Sequence, residues 1–252
     1  MQTYVNTGPN GIYTRAIVHT PDNSDNKFAG AGMIATIWNV DAQGQQNSAC
    51  RMKIQKGSDK LQVGWRVDPT LYGDNNPRLF IHFQAGNTQC FNTLCHGFII
   101  VNSDIHLDQV LTPVSQRRGK QFAITAYITR DLINGNWWLL LGTDQTAVGF
   151  WPPRIFRELS NDFATNVEWG GVTYTPPGVS FTPMGTGFWP HIPDPTLDAY
   201  CRGLIVLDDK GEGTNANDTP QLLDNEFLYR IIEESHIVYY GGPEDPDGDT
   251  HR

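Results

Sequence analysis

Three short segments of this chain carry chemically able side chains at alternate positions. Gln62, Gly64 and Arg66 form one set, Phe80, His82 and Gln84 a second, and Glu168, Gly170, Val172 and Tyr174 a third. Successive side chains of a strand point to opposite faces, so each set shares a face if its segment is extended. If these three faces meet on one surface, that surface presents Arg, Gln, His and Tyr, with Trp38 as an aromatic neighbour. A lining with so few carboxylates suits a neutral or anionic, partly aromatic ligand better than acid-driven peptide cleavage. Plainer roles compete with these: Arg66 in a salt bridge, His82 as a hydrogen-bonded half-buried ring, Trp38 and Trp65 in a core, Glu168 as a surface acid.

Other chemistries lack their residues. His19, His82, His96, His106, His191, His236 and His251 are scattered without the spacing of metal ligands, so neither a metal site nor a cofactor is expected. There is no Gly-Xaa-Ser-Xaa-Gly elbow. Gly185-Thr186-Gly187 and Gly211-Glu212-Gly213 lack the third glycine and the strand-to-helix setting of a phosphate cradle. The acidic residues 244–249 lack the spaced ligands and closing Glu of a calcium loop.

A chain of 252 residues is long enough to bury one sizeable core, and all-β domains of this length are common, so residues 1–240 are read as one domain. Net charge is −9, and the one basic knot is Arg117-Arg118-Gly119-Lys120, which argues against nucleic acid as a partner. No apolar run reaches the roughly 18 residues of a membrane-spanning helix, so no membrane partner is expected either. Four cysteines fit two disulfides and an oxidising, secretory setting. The sequon Asn217-Asp218-Thr219 agrees, although Pro220 follows it directly.

Short apolar or alternating segments recur at residues 14–20, 32–40, 61–67, 78–83, 97–101, 121–128, 137–141, 166–173 and 203–207. They are rich in β-branched and aromatic residues and are separated by turn signals such as Asn134-Gly135-Asn136 and Pro176-Pro177-Gly178, the pattern of an all-β sandwich. Helical spacing is confined to residues 153–159 and to 222–235, where Leu223, Phe227, Ile231 and Ile232 share a face. The second of these is expected to be a short C-terminal helix that covers a sheet edge or makes a homodimer. Residues 241–252, acidic and rich in Pro and Gly, are expected to be a disordered tail.

A series of motifs runs in order through residues 14–208: Gly30-Ala31-Gly32 to Trp38-Asn39, Val63-Gly64-Trp65-Arg66-Val67, Leu71-Tyr72-Gly73-Asp74-Asn75-Asn76-Pro77, Cys90-Phe91-Asn92-Thr93-Leu94-Cys95, Gly135-Asn136-Trp137-Trp138, Gly149-Phe150-Trp151-Pro152, Glu168-Trp169-Gly170-Gly171 and Met184-Gly185-Thr186-Gly187. This frame resembles the catalytic domain of neprosin, a family of secreted glutamic peptidases. The resemblance implies a jelly-roll-like sandwich of two antiparallel sheets with a long cleft on the concave sheet. It also implies a Cys90–Cys95 disulfide, whose short loop contributes on the order of 2 kcal/mol. Cys50 and Cys201 are left to pair across strands, or to remain as two buried thiols.

The family keeps one glutamate two residues before Gly-Trp and another directly after Trp-Gly-Gly, where this chain has Gln62 and Val172. Gln cannot titrate and Val can neither donate nor accept, so this pair cannot activate water as two carboxylates do. The resemblance therefore implies a cleft turned to small-molecule chemistry, in the manner of fungal hetero-Diels–Alderases associated with this fold, with Gln62, Arg66 and His82 on the substrate's oxygens. Two alternatives stand beside it. One is a glutamic peptidase using Gln62 and Glu168 on peptide, which would need a register shift or bulge at Gly170-Gly171 because Val172 and Glu168 lie about 13 Å apart along a strand. The other is a binding module without chemistry.

Overall fold

In the computed structural model, residues 11–244 are described. In chain order the strands are β1 (Ile12–His19), β2 (Gly30–Thr36), β3 (Asn47–Lys56), β4 (Asp59–Val67), β5 (Arg78–Ala85) and β6 (Thr88–Phe91). Next come β7 (Ile99–Ile100), β8 (Ala123–Arg130), β9 (Trp137–Leu141), β10 (Thr146–Trp151) and β11 (Asn166–Thr175). The last are β12 (Ala199–Leu207), β13 (Gly213–Asn215), β14 (Gln221–Leu223), β15 (Arg230–Glu234) and β16 (Ile237–Gly241). A single turn of α-helix, α1 (Pro69–Tyr72), joins β4 to β5.

The strands form two antiparallel sheets, one of seven in the order β14-β1-β11-β3-β4-β5-β6 and one of nine running β15-β16-β12-β2-β8-β9-β10-β7, with β13 on β12. Between them lies the main core. β4 supplies Leu61, Val63, Trp65 and Val67, β5 supplies Leu79, Ile81 and Phe83, and β3 supplies Cys50, Met52 and Ile54; β2, β8 and β9 face them with Ala31, Met33, Ala35, Ala126, Ile128, Trp137 and Leu139. This is the alternation expected of strands with one face on a core. The all-β sandwich is thus as the sequence predicts.

The Gly-Trp and Trp-Gly-Gly motifs have a packing reason. Trp65 and Trp169 are fully buried and donate their indole N–H to the carbonyls of Thr36 (2.8 Å) and Gly32 (3.1 Å) on the opposite sheet. Between sheets the two indoles act as struts. On β11, Gly171 lies on the core side under Tyr240 and Met184, while Gly170, at φ +136°, presses on the backbone of Ala16 and Ile17. A side chain fits at neither.

Several expectations are corrected. Residues 222–235 form no helix: Leu223 ends β14 on the edge of β1, Ile231 and Ile232 lie in β15 on β16, and Phe227 is 81% exposed in the turn between. Both sheet edges offered pairing that outweighed a single helical stripe. Residues 153–159 reduce to a 3₁₀ turn at Pro153–Ile155. Of residues 97–101 only Ile99–Ile100 is strand. Cys90 and Cys95 are bonded, whereas Cys50 and Cys201 are buried free thiols. They stand against each other across the core, and their mutual hydrogen bond and burial push the Cys201 thiol pKa well up. Gly241–Glu244 are ordered, with Gly241 closing β16 and Glu244 bridged to Phe188; the rest of the expected tail lies outside the described residues.

Candidate functional site

The face of the seven-stranded sheet turned away from the core forms a cavity of about 370 Å³. Its lining comprises Tyr13, Arg15, Arg51, Lys53, Lys60, Gln62, Arg66, Phe80, His82, Gln84, Gln89, Phe91 and Val172, and no carboxylate is among them. The three sequence sets do converge here, in Gln62 and Arg66, in His82 and Gln84, and in Val172.

Register explains the convergence. One cross-strand row reads Glu168 on β11, Lys53 on β3, Gln62 on β4, His82 on β5 and Phe91 on β6. The next groove-facing row reads Ile17, Gly170, Arg51, Gly64 and Phe80, and the one after it Arg15, Val172, Ala49, Arg66 and Arg78. No bulge is needed to bring Glu168 into line with Gln62, contrary to expectation. They are two strand spacings apart, roughly 10 Å between backbones, with Lys53 between them.

That lysine and its neighbour decide what Glu168 can do. Arg51 Nη2 donates to Glu168 Oε2 at 2.7 Å, and Lys53 Nζ holds Oε1. Burial alone would raise the Glu168 pKa, but the charges and hydrogen bonds of Arg51 and Lys53 bring it down to about 2. It borders a neighbouring depression with His19, Gln55 and Asn166 and is absent from the main cavity's lining. A carboxylate bound twice and ionised above about pH 2 offers no proton and is a weak base.

His82 is 6% exposed and makes a 3.1 Å contact through Nδ1 with Gln62 Nε2. Donation by the amide leaves the ring proton on Nε2, and Gln89 makes a further side-chain hydrogen bond to the ring. Phe91 lies over the imidazole at 4.6 Å. Burial, with the charges of Arg66, Lys60 and Arg51, lowers the His82 pKa to about 3. The ring is neutral throughout the working range of most enzymes. Arg66 is 5% exposed, pinned by Asp68 through Nε at 2.9 Å and Nη2 at 2.8 Å, and stacked 4.9 Å above Phe91. Asp68 in turn caps α1, accepting from Thr70 and Leu71. Its salt bridge holds the guanidinium as a wall of the groove.

Val172, 3% exposed, packs with Ile17, Ala49 and Phe80 into a small apolar cluster apart from the main core, flanked by Tyr13, Phe91 and Leu222. The groove floor is therefore hydrophobic at the position next to Trp-Gly-Gly. Two expected ligand residues lie elsewhere. Trp38, 4% exposed, is in the core with its N–H on Thr36 Oγ1, because residue 38 follows the end of β2 and its ring turns inward. Tyr174 is on the right face but its ring packs beneath Gly11, outside the lining.

Sequence reasoning passed over Arg51, Lys53, Lys60, Arg15 and Tyr13. The signal existed: Cys50, Met52 and Ile54 alternate with Arg51, Lys53 and Gln55, a strand with one apolar face. Its charged face reads as solvent-exposed until β11 and β4 enclose it. Asn217 is exposed, while Thr219 donates its hydroxyl to Glu233 at 2.9 Å. Among the described residues no three His, Cys, Asp or Glu gather as metal ligands, and no helix is long and apolar enough to cross a membrane.

Comparison with known proteins matches the family model described as Neprosin to residues 44–243. Among solved structures, a scytalido-glutamic peptidase with a peptide-based transition-state analogue aligns with a TM-score of 0.50 at 13% identity, covering 92% of this chain and 98% of that one. The same peptidase with a transition-state analogue inhibitor gives 0.49 at 12% identity, covering 92% and 98%. A member of the eqolisin family of peptidases in complex with the tripeptide Ala-Ile-His gives 0.47 at 13%, again covering 92% and 98%. At these identities the likeness is one of fold.

Proposed function

Because this chain belongs to the neprosin family and has its peptidase-like scaffold, we propose that its groove has exchanged hydrolysis for the binding and folding of a small, oxygen-bearing, partly aromatic molecule. The reaction that fits is a ring closure, best described as a pericyclic, hetero-Diels–Alder type cyclisation in natural-product biosynthesis. One observation carries this reading: among the described residues the cavity lining holds no carboxylate, and Val172 occupies an apolar cluster where the resemblance places a catalytic glutamate. Water activation by a shared-proton pair has no groups to use.

What remains is suited to positioning. Holding two reacting ends of one or two molecules in a near-attack pose contributes several kcal/mol without any titrating group, of the order seen in intramolecular reactions. Phe80, Phe91 and Val172 offer an apolar bed, and the amide of Gln62 and the guanidinium of Arg66 border it with donors. A neutral Nε2–H on His82 is a further donor wherever a substrate oxygen displaces Gln89. A donor on an acceptor oxygen lowers the energy of the electron-poor partner as charge develops there. No atom leaves in such a step.

The Cys90–Cys95 disulfide and the exposed Asn217 support work in the secretory pathway or outside the cell. The experiment is incubation of the chain with polyenes and quinone-methide-type dienes, followed by analysis of product ratios and stereochemistry. A changed ratio or an enantiomeric excess over the blank is expected. Binding with product ratios identical to the blank would leave a binding module in place of a cyclase.

A further inference from the structure

Arg51 differs from the other cations of the groove. It is 3% exposed, and only its Nη2 is answered, by Glu168; Nε and Nη1 make no well-formed hydrogen bond with any described residue, although the Tyr13 phenol adjoins them. Those two nitrogens carry three N–H groups. Buried donors are rarely left so, since each unanswered one costs stability. Its flanks are bare: the row through Arg51 has Gly170 on one side and Gly64 on the other. Neither glycine can be replaced, because a Cβ would lie 2.5 Å from the Ala16 carbonyl oxygen at Gly170 and 2.0 Å from that of Cys50 at Gly64. Packing thus keeps a side-chain-free notch on both sides of a buried cation.

The surroundings agree in sign. Five cationic side chains line the cavity, Arg15, Arg51, Lys53, Lys60 and Arg66, and three carboxylates answer four of them: Asp224 on Arg15, Glu168 on Arg51 and Lys53, and Asp68 on Arg66. A chain of net charge −9 therefore concentrates positive charge in this groove. Such focusing raises the local concentration of anions. Beside the notch lies the apolar cluster of Val172, Phe80 and Ile17.

We propose that the notch around Arg51 is an anion subsite, which takes the carboxylate of a ligand whose unsaturated body lies against Phe80, Phe91 and Val172. This rests on the reading that the groove holds a small organic molecule and names the functional group by which that molecule is held. Arg51 orients; Lys53, Lys60 and Arg15 supply field.

The test uses 2-naphthoate and its neutral counterpart 2-naphthamide, titrated into the full chain at neutral pH and moderate salt. The acid should bind at least tenfold tighter than the amide, and added salt should narrow the gap. Glu168→Gln frees Arg51 Nη2 and Lys53, so it should tighten naphthoate several-fold. In Arg51→Gln/Glu168→Gln, which leaves no lone buried carboxylate, the preference for the acid should shrink to the few-fold that the remaining cations supply. Should that double variant fail to fold, Lys60→Gln, a partly exposed position, should weaken naphthoate two- to threefold with an unchanged melting temperature. Equal affinities for acid and amide, or full naphthoate affinity in the folded double variant, would overturn the subsite. The two proposals fail separately. Preference for the acid with no effect on any cyclisation keeps the subsite and removes the cyclase, and the reverse result does the opposite.

Discussion

His82 shows how far one residue's environment fixes its chemistry. Its ring is enclosed by Phe91, Gln62 and Gln89 and ringed by the charges of Arg66, Lys60 and Arg51, which together with burial lower its pKa from 6.5 to about 3. In an NMR titration its imidazole should stay neutral down to about pH 3; protonation of His82 near pH 6 would show that the groove is open and wet. Lys53 is shifted as well, down to about 8, because burial and Arg51 disfavour its charge more than Glu168 supports it. Gln62, Arg66, His82, Gln84 and Val172 were legible as groove residues because a two-residue period is enough to assign a face. Trp38 was not, since it lies past the end of its strand, where the period no longer applies. Nor did the sequence reveal the clamp on Glu168, which depends on register between β11 and β3.

At the scale of elements, Asp59 ties the sheet to the loop that follows β10. Fully buried at the start of β4, it accepts from the backbone N–H groups of Gly86, Arg157, Glu158 and Leu159. Removing it leaves four donors to find water or go without, at about 1 kcal/mol or more each. Asp59→Ala should therefore lower unfolding free energy by about 3 to 5 kcal/mol in chemical denaturation; a loss below 1 kcal/mol would mean that the loop satisfies itself. No sequence signal marks this aspartate, because its partners lie 27 to 100 residues away. The strand centres were readable from β-branched and aromatic runs, and β9 matches residue for residue. β3 was missed because Arg51, Lys53 and Lys56 give it a polar composition, and the expected C-terminal helix failed because Leu223 and Ile231 serve two different sheet edges.

The whole molecule should dislike acid. An unfolded His with pKa 6.5 takes up a proton before the folded one at about 3, and an unfolded Glu at 4.5 before the folded Glu168 at about 2. In both cases the unfolded state binds more protons within the window, so stability falls as pH drops. The His82 contribution is complete above pH 6.5 and fades toward 3; that of Glu168 is complete above 4.5 and fades toward 2. Melting temperature should accordingly decline from about pH 6.5 downward, and His82→Gln should flatten the upper part of that decline. The most direct measurement of the central claim is digestion of a denatured protein substrate at pH 4 to 5, with folding of the chain verified in the same buffer. No cleavage by the unaltered chain is predicted, with hydrolysis emerging only when Gln62→Glu and Val172→Glu are combined; cleavage by the unaltered chain that disappears in Glu168→Gln would contradict the account.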